Sequence, residues 1–519
     1  MKTNFDFLTK EKIYDSFSHQ AIEAERALLV SPATCAILSR RALELAVRFV
    51  YSYDNELKIP YQDNLSSLVH ASSFQNIIEP RLFPMIKFVI KLGNVAVHTN
   101  SNIKRDDAIL SLRNLFEFCD WVDYCYSETY CDKQFDESIL ENSQQERKRP
   151  EELRDLYEKL SSKDRKIEEI RKENEELRNR ITQARVDNVK ARNFTVDELS
   201  EAQTRNKYID VELQEAGWSI GKDCLTEVQV TGMPNPTGIG YVDYVLYGKD
   251  SLPLAIVEAK KCSVDSNVGS HQAKLYADCI QNQYGRRPLI FLTNGFEVFY
   301  INDFVGYPKR QVSGFFTQDE LQLEIDRRQQ RIPLEKITIK DEITNRPYQK
   351  EAVTAVCDAI MHNHRKTLIV QATGSGKTRV SISIVDVLRR HNYVKNILFL
   401  ADRKALVKQA KKNYTNLLSD LSCCNLLDSK DDPEQCRMIF STYPTMMNAI
   451  DEQRNKDGRR LFTPAHFDLI IVDESHRSIY KKYQEIFTYF DAILLGMTAT
   501  PKNEIDKNTY AIFDLERGV

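Results

Sequence analysis

The stretch Gln371–Thr378, Q-A-T-G-S-G-K-T, constrains what this chain can fold into more than any other. An apolar strand end, Leu368 to Gln371, leads into it, and the helix-forming run Arg379 to Arg389 leads out. A strand, a glycine-rich turn and a helix in that order make a phosphate cradle. Gly374 and Gly376 let backbone N–H groups turn toward phosphate oxygens, and the helix N-terminus adds favourable potential. Thr373 and Ser375 complete the loop, Lys377 reaches the β- and γ-phosphates, and Thr378 ligates Mg²⁺. Ninety-six residues past Lys377, F-D-L-I-I-V-D-E-S-H ends an apolar strand on Asp473 and Glu474. Asp473 is placed to hold the Mg²⁺ and Glu474 to polarise an attacking water, with His476 linking this site to the rest of the domain. From Arg346 onward strands and helices alternate, as in a doubly wound parallel sheet.

At 519 residues the chain is too long for one core and predicts several domains. The formal net charge of −3 excludes a global basic field, so any nucleic-acid contact has to come from local patches. The 11 cysteines are scattered without a C-x-x-C pair, and Cys423 and Cys424 are adjacent, which fits a reduced, cytoplasmic chain and no zinc site. Met1 to Lys10 has no apolar core of a signal peptide. No apolar run approaches the roughly 18 residues that a membrane span requires.

The expected organisation is multidomain. Residues 1–135 read as an all-α domain, with apolar residues at helical spacing in Ala21–Val30, Leu38–Val50, Phe83–Leu92 and Ile109–Tyr126. Residues 144–192 are charged or amide-rich and carry a thin heptad. Leu153, Leu160, Ile167, Asn174, Ile181 and Asn188 fall at a; Leu156, Lys163, Ile170, Leu177 and Ala184 fall at d. That pattern leaves open a dimerising coiled coil, a solvated spacer helix or an antiparallel hairpin. Residues 195–317 read as αβββαββ: a helix Val196–Ala216, strands Thr226–Val230, Tyr241–Tyr247 and Leu254–Ala259, a helix Ser270–Gln283, then strands Leu289–Thr293 and Glu297–Ile301. Residues 318–345 read as a charged connector, and residues 346–519 as the nucleotide-binding α/β domain.

Within the first α/β region, Asp243 lies mid-strand in Y-V-D-Y-V-L-Y. Fifteen residues later, I-V-E-A-K places Glu258 and Lys260 two apart, and so on one face of a strand. Adjacent strands can thus bring two carboxylates and an ammonium to one point. Two carboxylates suit a divalent ion, which stabilises a scissile phosphate and activates water, while Lys260 orients the nucleophile or stabilises the transition state. These residues resemble the PD-(D/E)xK nuclease superfamily, with Val242 standing before the first carboxylate. Glu227 is a candidate auxiliary acid. Gln272 and Tyr276 lie one helical turn apart and resemble the Q-x-x-x-Y motif of RecB-like nucleases and type I restriction subunits.

The downstream motifs resemble superfamily 2 helicases and translocases. R-P-Y-Q (Arg346–Gln349) resembles their adenine-reading motif, with Gln349 as the contact. A-D-R (Ala401–Arg403) and S-T-Y (Ser441–Tyr443) sit where that family touches the DNA backbone. T-A-T (Thr498–Thr500) resembles the element that couples ATP state to DNA grip. Helical region, nuclease and motor in this order resemble the R subunit of type I restriction enzymes, over roughly residues 195–519. The resemblance implies ATP and Mg²⁺ as cofactors, double-stranded DNA as substrate, and modification and specificity subunits as partners. It also implies a second RecA-like domain and C-terminal helices beyond Val519. The expectation is therefore an N-terminal portion of a longer subunit, with ATP turnover or translocation not expected of this chain alone. The helical region is similar to HEPN-related domains, but Gly93 stands where their RNase form carries arginine. Asn94 and His98 lie one turn apart, and His98 is therefore read as structural or interacting. M-H-N-H-R (Met361–Arg365) lacks the context of an HNH nuclease. A stand-alone defence or repair nuclease–helicase, and a non-catalytic DNA-binding or assembly module, are the alternatives.

Overall fold

A computed structural model describes residues 2–57, 59, 64–98, 103–127, 129–141, 175–192, 201–259, 266–295, 297–428, 431–451, 460–473 and 483–499. The chain divides into two compact units, Met1–Val211 and Glu212–Val519.

The first unit is helical: α1 Ser18–Ala27, α2 Pro32–Tyr53, α3 Leu65–His70, α4 Ser72–Ile77, α5 Leu82–His98 and α6 Arg105–Tyr126. Ser31 starts α2 by accepting a hydrogen bond from the Thr34 N–H, with Pro32 at the first helical position. Helices α2, α5 and α6 pack mutually. At the α2–α5 crossing a Cβ on Gly93 would stand 2.5 Å from Arg40 Cβ, so only glycine fits that approach. This explains the missing arginine at position 93 in packing terms.

The helix Glu175–Ala191 corrects one expectation. Over Ile181–Arg192 it is neither a solvated spacer nor an exposed seam, because it packs within the first unit. Ile181 is buried, and Asn188 Nδ2 donates to the Cys125 carbonyl at 2.9 Å. Between them buried Arg185 bonds Asp54, which also accepts from the Tyr126 hydroxyl and the Glu56 N–H. Heptad positions from Leu153 to Asn174 lie outside the described residues.

The second unit holds two six-stranded sheets. The first is mixed, in the order β1 Cys224–Thr231, β2 Ile239–Tyr247, β3 Pro253–Ala259, β4 Leu289–Thr293, β5 Val298–Ile301, β6 Arg310–Val312. All neighbours are antiparallel except β3 and β4, which the helix Ser266–Tyr284 connects. Every residue of β3 and β4 is buried, which accounts for their continuous apolar runs. Strand β6 extends the expected order by one.

The stretch 318–345, expected as a charged connector, has structure of its own. It opens with the helix Gln318–Gln330, started by a reciprocal capping box between Thr317 and Glu320. Buried Arg327 reaches from that helix to Glu324 at 2.9 Å and to Asp468 at 2.7 Å.

The second sheet is wholly parallel, ordered β7-β12-β11-β8-β10-β9, from β7 Lys366–Val370, β8 Ile397–Ala401, β9 Cys423–Asn425, β10 Met438–Thr442, β11 Leu469–Asp473 and β12 Ile493–Thr498. Alternate residues feed two cores: Ile397, Phe399, Leu469 and Ile471 on one face, Leu398, Leu400, Ile470 and Val472 on the other. The two sheets are joined by Asp491. Arg310, on β6, grips it with two bonds of 2.7 Å, and Arg365, just before β7, adds one of 2.8 Å.

Candidate functional sites

In the parallel sheet every strand ends at the same edge, and crossovers leave their loops there. Val370 pairs with Thr498, and Met497 pairs with Asp473. The nucleotide loop, T-A-T and Asp473 therefore lie at the ends of three adjacent strands. The Gln371 N–H donates to the Thr498 carbonyl at 3.0 Å, which ties the loop's entry to β12.

Gly374 and Gly376 adopt φ of +82° and +94°, a region open to glycine at little cost. Gly376 caps the helix Lys377–Arg390. Thr373 and Gly374 are exposed, and Ser375, Gly376, Lys377 and Thr378 are half-buried, so the loop is open at its tip and seated at its base. Gln349 is 3% exposed and donates to the Ser375 carbonyl at 2.7 Å. The Tyr348 hydroxyl donates to that same carbonyl at 3.0 Å. A Cβ on Gly376 would meet Gln349 Nε2 at 2.4 Å. The R-P-Y-Q segment thus clamps the loop, and Tyr348 is a participant that the sequence reading passed over.

Asp473 is half-buried at the end of β11. Behind it, burial first and then the carboxylates of Asp473 and Asp402 hold the Tyr443 hydroxyl well above its ordinary range. The S-T-Y stretch is corrected here: Ser441, Thr442 and Tyr443 are all buried, so their side chains are core and not a DNA-facing surface. Arg403 has a 79% exposed side chain and remains available at that edge. Glu474, His476 and Thr500 lie outside the described residues.

The second candidate site lies within the mixed sheet. Tyr244 pairs with Val257 and Val245 with Ile256, a register that continues to Asp243 opposite Glu258. The Ala259 N–H donates to Asp243 Oδ2 at 2.6 Å, which fixes the direction of that carboxylate. Glu258 is 4% exposed. The two acids are brought together as the spacing required, and as hard oxygen donors they suit Mg²⁺, which keeps several waters in its shell. Gln272 Nε2 donates to the Tyr276 hydroxyl at 2.8 Å, so these two act as one unit. Tyr276 is buried and leans on β2, where a Cβ on Gly240 would stand 2.6 Å from Tyr276 Cε1. Lys260 lies outside the described residues.

Glu227 is not joined to the pair. It is exposed at φ +52°, and among the described residues no three His, Cys, Asp or Glu gather closely enough to hold a metal. The M-H-N-H-R stretch caps the helix Pro347–Met361, with His362 bonded to the Asp358 carbonyl at 2.8 Å.

No helix among the described residues is long and apolar enough to cross a membrane. Residues 342–503 match the family "Type III restriction enzyme, res subunit", and residues 22–169 match a domain of unknown function, DUF4145. The endonuclease subunit of the type I restriction enzyme EcoAI from Escherichia coli is 26% identical over 359 residues, covering 63% of this chain and 43% of that protein. The EcoKI endonuclease subunit of Escherichia coli strain K12 is 24% identical over 389 residues, covering 58% of this chain and 33% of that protein. Among solved structures, the Sulfolobus solfataricus SWI2/SNF2 ATPase core in complex with dsDNA is 18% identical, covers 36% of this chain and 38% of its own, and has a TM-score of 0.28. The chain spans less than half the length of these two curated relatives. It is similar in sequence to the endonuclease subunits of type I restriction enzymes, and its residues 342–503 match the family model of the res subunit.

Proposed function

We propose that this chain supplies the DNA-cleaving centre and the ATP-binding half of the motor in a type I restriction complex. What supports the reading is one compact unit that holds two separate centres. An acid pair crosses β2 and β3, and a clamped nucleotide loop sits at the carboxyl edge of a parallel sheet.

Asp243 and Glu258 would hold Mg²⁺, and the Ala259 N–H keeps the Asp243 carboxylate aimed. Bound there, Mg²⁺ would supply charge neutralisation at the scissile phosphodiester and activation of a water. Lys260, two residues past Glu258, stabilises the charge that develops on phosphate. Gln272 and Tyr276 brace the strand that carries Asp243. In the motor half, Thr373 to Gly376 would cradle phosphate, Lys377 would neutralise it, and Thr378 with Asp473 would hold a Mg²⁺ ion. Glu474 orients the attacking water, His476 relays the state of that site, and Gln349 holds the loop beside the base. Double-stranded DNA is the substrate, and modification and specificity subunits are the partners.

The test is Mg²⁺-dependent cleavage of plasmid DNA by this chain and by Lys260→Ala, with and without ATP. Cleavage by the wild type that disappears in Lys260→Ala and in EDTA is the expected result. Cleavage that persists in Lys260→Ala and Asp243→Asn would place the chemistry elsewhere and sink the assignment.

A further inference from the structure

The parallel sheet has a second edge, where its strands begin. There a cleft of about 520 Å³ opens between the helix Gln318–Gln330 and the starts of β8 and β10. The helix Lys377–Arg390 begins at the nucleotide loop and ends in this cleft. Its 14 residues put the cleft about 20 Å from the loop. Six cationic side chains line the cleft against two carboxylates, in a chain whose net charge is −3.

Part of this charge is structural. Arg389 bonds Asp420, and Arg390 and Lys340 both bond Asp386. Cations are also favoured at the last turn of a helix, which accounts for Arg389 and Arg390. Neither reason covers Lys395 and Arg437. They stand at the starts of two adjacent strands, joined by the Ile397 N–H donating to the Arg437 carbonyl at 2.8 Å. Both are exposed, and among the described residues neither side chain bonds a carboxylate; the Lys395 backbone N–H donates to Asp468 Oδ2 at 2.7 Å. Arg437 Nη1 is steadied by Asn396 Oδ1 at 3.1 Å, which leaves the rest of its fork pointing outward.

We propose that this amino-edge cleft is a phosphodiester-binding surface that holds duplex DNA away from the nucleotide loop. Guanidinium forks match phosphate in a bidentate way. The lining offers only Leu323 and Val394 as apolar side chains, too few to anchor a protein segment. The choice of DNA as the polyanion rests on the function proposed above; the cleft and its charge do not.

The experiment measures duplex binding by the full chain in EDTA across a salt series. It compares the wild type with Lys395→Glu/Arg437→Glu and with Lys10→Glu/Lys12→Glu, which carries the same charge change on the other unit. In the cleft variant, affinity should fall about tenfold and the slope of log K against log salt should fall by about 2, near 0.9 per lost phosphate contact. ATP binding should be unchanged. Lys10→Glu/Lys12→Glu should bind duplex as the wild type does, and plasmid cleavage by the wild type is assayed beside it, so that failure of the cleft and failure of the nuclease centre are read separately. The proposal is overturned by an unchanged affinity and slope, by an equal loss in the Lys10/Lys12 control, or by a wild type that does not bind duplex. It is also overturned if polyglutamate competes as well as DNA, which would make the cleft a site for acidic protein.

Discussion

The two sheets of the second unit gather their chemistry in different ways. In the parallel sheet, Ala372, Asp473 and Thr498 are brought to one edge because each follows or ends a strand running the same way. Strand direction does the work, and a strand one residue longer would move its loop but not reverse it. In the mixed sheet the pair lies inside the strands. Asp243 meets Glu258 only through the antiparallel register of β2 and β3, and a one-residue slip would send one carboxylate to the other face. The first arrangement tolerates variation in strand length. The second depends on a register held by tight contacts such as Tyr276 on Gly240.

The joint between the sheets is where this comparison breaks most easily. Asp491→Asn leaves Arg310 and Arg365 without their shared carboxylate, at an expected loss of about 3–5 kcal/mol. Urea unfolding should then split from one transition into two. Burial alone would raise the Asp491 carboxyl, but Arg365 and Arg310 hold it below its ordinary range. A carboxyl lowered on folding stabilises above its unfolded pKa, so this contribution is present at neutral pH and is lost as pH falls below the usual Asp range.

Next in size is a double dissociation. Asp243→Asn should lower cleavage on the order of 10²–10³-fold while leaving nucleotide binding intact. Lys377→Ala should abolish binding of a fluorescent ATP analogue while leaving ATP-independent cleavage unchanged. Any crossover between the two readouts would mean that the sheets are coupled in chemistry as well as in structure.

Acid should then act unequally on the two sheets. Burial pushes the His466 imidazole, beside the parallel sheet, down to about 4. Its Nε2 is shut off from solvent and has no hydrogen-bond partner among the described residues. A histidine lowered on folding stabilises above its unfolded pKa and loses that contribution as pH falls from about 6.5 toward 4. About 2–3 kcal/mol of unfolding free energy should be lost over that window and retained in His466→Gln.

The smallest effects compare two glycines. Gly376→Ala forces a side chain into φ +94° and against Gln349, and should cost about 1–3 kcal/mol together with nucleotide affinity. Gly240→Ala should cost about 1–3 kcal/mol by crowding Tyr276, and it should lower cleavage without touching nucleotide binding. Differential scanning with and without nucleotide separates the two.

Much of the candidate site was legible because its signals are local. Q-A-T-G-S-G-K-T between a strand and a helix dictates its own loop. Asp243 and I-V-E-A-K on consecutive strands carry the register that joins them. What stayed hidden depends on surfaces distant in sequence. The helix Glu175–Ala191 reads as part of a coiled coil, a spacer or a hairpin until Arg185 is matched to Asp54, 131 residues away. The helix Gln318–Gln330 reads as a connector until Arg327 is matched to Asp468, 141 residues away. Ser441–Tyr443 reads as a surface until Tyr443 stacks on Tyr483. Lys395 and Arg437 are unremarkable in the sequence and become neighbours only because β8 and β10 pair. Local patterning determined which elements form and which residues carry chemistry, since hydrogen bonds and side-chain periodicity act over a few residues. Only the tertiary structure decided which charges are buried together and which remain outside, because burial follows from which distant faces meet.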